Sequence, residues 1–131
     1  MCPYLTAKPP GGGRAIFRYD RWMTANEIVL ITYTTLYREG GAEFERAART
    51  MAAEKARVTP NVEVRKVESK RDFVDALESV TARGQTIREL HFVGHGGMYG
   101  PMFRTRSMPE QFSPYEWRRL AIPFAPHGEA Y

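Results

Sequence analysis

Leu90-His91-Phe92-Val93-Gly94-His95-Gly96-Gly97 is an apolar run that ends abruptly in a histidine and two glycines. A short hydrophobic segment bounded by turn residues reads as a buried strand. A histidine at the C-terminal end of such a strand stands where open α/β sheets place their ligand crevices. The glycines let the backbone bend sharply and leave one flank of the imidazole open. His95 is the candidate functional residue, and the rest of the chain can be read outward from it.

Upstream, residues 28–33 (Ile28-Val29-Leu30-Ile31-Thr32-Tyr33) are apolar and β-branched almost throughout, as a strand covered on both faces requires. Residues 62–67 alternate, which suits an edge strand with one face in water. Residues 87–93 form the third strand. Between strands, residues 43–56 set Phe44, Ala47, Ala48, Met51 and Ala52 at helical spacing. Ser69 with Asp72 resembles an N-cap box opening a helix that buries Phe73, Ala76, Leu77 and Val80, and Gly84 closes it. The order β-α-β-α-β implies a parallel sheet with helices on both faces, and right-handed crossovers give the spatial order 2-1-3. The expected fold is thus an α/β three-layer sandwich with a short, mainly parallel sheet. Its crevice lies between the ends of strands 1 and 3, bringing Thr34, Thr35, Tyr37 and Arg38 near His95.

Downstream, residues 96–108 read as a Gly/Pro/Met-rich loop. Ser113-Pro114-Tyr115-Glu116 supplies an N-cap, an N1 proline and an N3 glutamate for a short helix. Residues 121–125 approach or begin a further strand, and Pro126-His127-Gly128 reads as a turn. At the other end, Pro9-Pro10-Gly11-Gly12-Gly13 disfavours regular structure. This gives two regions: a flexible N-terminal arm over residues 1–25 and one α/β domain over 26–131, expected to be incomplete at its C-terminus.

The 131 residues suit one domain with a core, and the 43% apolar and 26% charged fractions are those of a globular chain. No apolar run reaches bilayer length and no secretory pattern opens the chain, so a membrane role is not expected. A single cysteine, Cys2, leaves no internal disulfide framework and fits a reducing cytoplasm. The net charge of +4 is interspersed with acid, as in Arg65-Lys66-Val67-Glu68-Ser69-Lys70-Arg71-Asp72, so nucleic acid is not an expected partner.

A histidine needs a nucleophile to serve as general base. The serines are Ser69, Ser79, Ser107 and Ser113, two of them explained as helix caps, and no G-x-S-x-G elbow is present. His91 lies inside its strand as a hydrogen-bonded core residue, and His127 sits in a turn. The three histidines lack metal-ligand spacing, so no metal is expected. Gly40-Gly41 lacks a GxGxxG or Walker pattern, so no nucleotide cofactor is expected either. Arg38 is a candidate for holding a substrate carboxylate, and Met98, Tyr99 and Met102 for lining a pocket.

The element order and the strand ending in Val93-Gly94-His95-Gly96 resemble the first half of the caspase–haemoglobinase fold of cysteine peptidases. That group includes caspases, clostripain-like and gingipain-like enzymes and bacterial CHAT domains. The resemblance covers residues 28–131 in topology and 90–97 in motif. It implies that His95 is the catalytic base, that backbone N–H groups of Gly96 and Gly97 stabilise an oxyanion, and that the substrate is a peptide or protein; Thr35, Arg38 and Tyr99, placed at the crevice by the residue reading, are then the candidates for binding it. It also implies a cysteine at the end of the next strand. In caspases that cysteine follows the histidine by roughly 50 residues, a position beyond Tyr131. Gly94-His95-Gly96-Gly97 is also similar to the glycine-rich oxyanion loop of lipase-like α/β-hydrolases. The run from His95 to Phe112 also looks like bacterial domains of unassigned function. A different class fits the same residues: a non-catalytic α/β binding or interaction module of a bacterial protein, holding its partner on residues 96–108. Limited proteolysis tests the arm: cuts are expected within residues 1–25 before any in the body.

Overall fold

A computed structural model describes residues 23–36, 39–104 and 108–131. The first strand, β1 (Glu27–Tyr33), is buried at all seven positions. It lies between β2 (Val62–Lys66) and β3 (Thr86–Val93), and the order β2-β1-β3-β7 is completed by β7 (Phe124–Ala130). All three pairings are parallel. The chain is therefore an α/β protein with the 2-1-3 core order its sequence implies, extended by one outer strand.

Alternation along β1 divides the core in two. Val29, Ile31 and Tyr33 face α1 (Gly41–Lys55), where Ala48 is buried and Met51, Ala52, Val62 and Val64 complete the cluster. Ala47, expected in that apolar stripe, is exposed instead, because the stripe that reaches the sheet follows Ala48, Met51 and Ala52. Ile28 and Leu30 face α2 (Lys70–Ala82), which buries Phe73, Ala76, Leu77 and Val80. The Ser69 hydroxyl accepts from the Asp72 N–H at 3.1 Å, and the Asp72 carboxylate accepts in return from the Glu68 N–H at 2.9 Å. Gly84 follows α2 with φ 72, the left-handed conformation that ends a helix.

Of the loop expected over residues 96–108, the described residues do not form an open loop. They contribute β4 (Gly96–Gly97) and β5 (Gly100–Arg104), which pair antiparallel with each other and then with β6 (Pro109–Gln111). The segment folds because Phe103, fully buried, enters the α2-side core and meets the rings of Phe73 at 5.6 Å, Phe92 at 5.5 Å and Phe112 at 5.9 Å. Behind Phe112 stands Trp117 of α3 (Pro114–Arg119), 4.8 Å away, in a helix opened by a complete Ser113–Glu116 capping box. Lys70 joins the two helices, its ammonium 2.9 Å from the Glu116 carboxylate.

β7 differs from the expected approach-and-turn in that it runs through the turn residues. Ile87 pairs with Phe124, but Glu89 pairs with Glu129, so the segment around Pro126 and His127 bulges out before pairing resumes. His127 takes a left-handed φ of 65 there, within the bulge. Of the expected arm, only residues 23–25 lie among those described. Met23 packs on the α1-side cluster, and the Ala25 carbonyl accepts from the Asn61 side chain at 3.1 Å. Among the described residues no helix is long and apolar enough to cross a membrane. Phe103→Ala is expected to cost about 3–5 kcal/mol in denaturant unfolding, whereas Met98→Ala, at a position 85% exposed, should stay within about 0.5 kcal/mol.

Candidate functional site

β1 and β3 end side by side, Tyr33 opposite Val93, and the Thr34 N–H donates to the Val93 carbonyl at 3.3 Å. The chain can then turn His95 over this edge only because Gly94 has no side chain. A Cβ at Gly94 would stand 2.7 Å from Thr34 Cγ2 and 2.9 Å from the Phe92 ring. Crowding, rather than a left-handed φ, is what demands glycine here.

His95 is half-buried. Its Nε2 lies 3.0 Å from the main-chain oxygen of Glu39, in the β1–α1 connection. A carbonyl only accepts, so in this contact Nε2 carries the proton. The ring also meets Phe44 of α1 edge to face, with centroids 5.0 Å apart.

The other residues singled out from the sequence fall around this edge in different ways. Thr35 lies beside it, but its hydroxyl donates to Glu68 at 3.1 Å and its N–H to the same carboxylate at 3.4 Å. Thr34 donates there too, at 3.4 Å, and Lys66 Nζ stands 3.6 Å away. Glu68, just past β2, thus ties two strand ends together. The sequence signal for it was only a carboxylate directly after an alternating strand. Gly96 and Gly97 are exposed and stand opposite Pro101 and Gly100 in β5. Tyr99 sits at the tip of that hairpin, half-exposed, its carbonyl accepting from the Trp117 indole at 2.7 Å. Met98 is exposed beside it, whereas Met102 is half-buried. Tyr37 and Arg38 lie outside the described residues.

His91 occupies a different place, on the α1 side of β3. Its Nε2 is 2.8 Å from the Glu89 carboxylate, which Lys55 also meets at 2.8 Å, and its ring stacks on Tyr131 at 4.9 Å. Tyr131 donates to Glu129, a bond that raises its phenol above the ordinary range. Burial pushes Glu89 upward, but the bonds from His91 and Lys55 outweigh it and hold the carboxyl below its usual range. Among the described residues no group of three or more His, Cys, Asp or Glu side chains could hold a metal ion.

Compared with known proteins, the chain matches no protein-family model, no curated protein and no solved structure.

A carboxyl held low when folded adds stability above its unfolded pKa, about 4.3 for Glu, and loses it as pH falls through the folded value. Glu89→Gln should therefore be less stable than the wild type at pH 5. The gap between their urea midpoints should close as pH falls below about 4. A gap that persists at pH 2 would place the effect in packing instead.

Proposed function

We propose that this chain is the histidine-bearing half of a caspase-like cysteine hydrolase, acting in the cytoplasm on a peptide bond or another acyl group. The observation that carries this reading is the pairing of β7 with β3. The strands are parallel with Leu90 opposite Ala130, and Tyr131 both donates to the Leu90 carbonyl at 2.8 Å and accepts from the Phe92 N–H at 3.0 Å. His95 lies five positions after Leu90. A strand continued from Ala130 in the same register reaches the level of His95 at the same count, four residues past Tyr131. In a longer form of the protein, a cysteine there would stand on the neighbouring strand, about 4.8 Å away in the sheet direction. The spacing from His95 would be about 40 residues, somewhat shorter than in caspases.

The roles follow from the tautomer. With Nε2–H given to the Glu39 carbonyl, Nδ1 takes the thiol proton and later returns it to the leaving group. Backbone N–H groups about Gly96 and Gly97 stabilise the oxyanion, while Thr35 and Tyr99 border the acyl chain and Arg38, outside the described residues, stays the candidate for holding a substrate carboxylate. No metal or organic cofactor enters this scheme.

A second reading has its own observation. Met98 is 85% exposed and Tyr99 45%, adjacent at a hairpin tip, and such side chains suit a non-catalytic contact with a partner protein.

The test compares forms of the protein. Residues 1–131 alone should not hydrolyse a peptide library. A longer form supplying the cysteine should, and His95→Ala in it should lower turnover by several orders of magnitude with a melting temperature close to that of the parent. Full activity in the variant would refute the catalytic role, and an inert cysteine-bearing form would favour the binding module.

A further inference from the structure

Phe44 falls on the apolar positions of α1 by sequence spacing, yet it is absent from the cluster formed by Val29, Ile31, Tyr33, Ala48, Met51 and Ala52. Its ring is spent elsewhere. One side meets His95, with ring centroids 5.0 Å apart and planes at 87°. Another lies on Gly40, whose added Cβ would stand 3.3 Å from Phe44 Cζ. Gly40 is the N-cap of α1, held at φ 97 with no side-chain cap, and its carbonyl accepts the Phe44 N–H at 2.8 Å. The preceding residue, Glu39, supplies the carbonyl that meets His95 Nε2 at 3.0 Å. Glu39 and Phe44, five positions apart, thus both touch the imidazole, one through a polar atom and the other through a ring.

The two contacts do different things. The carbonyl selects the protonated nitrogen but leaves the ring plane loosely defined, and at a half-exposed site water competes for the bond. An aromatic ring set edge to face fixes the plane and excludes water from one side. We propose that Phe44 is a positioning residue for His95, holding the imidazole in the Nε2–H tautomer against the Glu39 carbonyl so that Nδ1 is the basic nitrogen. Gly40 is part of the device, because any side chain there strains a left-handed backbone and pushes on the Phe44 ring. The inference rests on the hydrolase reading for its chemical purpose, but its geometry concerns residues 39–44 and 95 alone.

Nitrogen NMR of the imidazoles in residues 1–131 reads the tautomer directly. His95 should show one protonated and one pyridine-type nitrogen at neutral pH, with Nε2 the protonated one. In Phe44→Ala the two signals should move toward a common averaged position while those of His91 and His127 stay in place. Phe44→Tyr, which keeps the ring, should retain the wild-type pattern. If Phe44→Ala does not fold, Phe44→Leu preserves apolar bulk without a ring and should show the same averaging. An unchanged His95 pattern in either folded variant overturns the proposal, as does a wild-type pattern protonated on Nδ1. A clamp that passes this test beside an inert cysteine-bearing long form would stand while the hydrolase reading fell.

Discussion

The fold depends on the complete desolvation of β1. A strand with both edges paired and both faces covered has nowhere to put an unpaired backbone group or a hydrated side chain. Its one carboxylate, Glu27, shows the cost: it is 7% exposed and answered by Arg88, whose guanidinium donates at 3.0 Å. Arg88 stands at the register shift between β1 and β3, and the irregularity turns its side chain to Glu27 while Ile87 and Leu90 stay in the α2-side core. Thr32, fully buried, is satisfied in the same manner by donating to the His91 carbonyl at 2.8 Å.

This constraint also places the candidate site. Because β1 and β3 run parallel and end together, their exits share one edge, and the first residues past each must find partners there. Thr34 and Thr35 find Glu68; His95 finds Glu39 and Phe44. The edge is thus a ring of short cross-links between three connections, each beginning where a strand runs out of ladder.

How much of this the sequence disclosed follows from the range of the signals. β1, β2, β3, α1 and α2 were legible because each carries its own period, and the caps at Ser69 and Ser113 because a cap is local. The small antiparallel sheet was not. Its strands are as short as two residues, rich in glycine and proline, and show no alternation. What orders them is Phe103 among Phe73, Phe92 and Phe112, partners scattered over forty positions of the chain. β7 was obscured by Pro126 and Gly128, which sit in its bulge. At the site, the strand-end position of His95 was legible, whereas Phe44 was hidden by its own helical spacing, which fits a core stripe as well as a contact beyond it.

The order of strands in space also sets an order in time. β1 ends at Tyr33, its first neighbour begins at Val62 and its second at Thr86. At synthesis rates of roughly 5–20 residues per second, β3 follows β1 from the ribosome by roughly 3–10 seconds. During that interval the most apolar segment of the protein has one edge without its partner. Nascent chains in that state present an apolar strand edge, the kind neighbouring chains pair with readily.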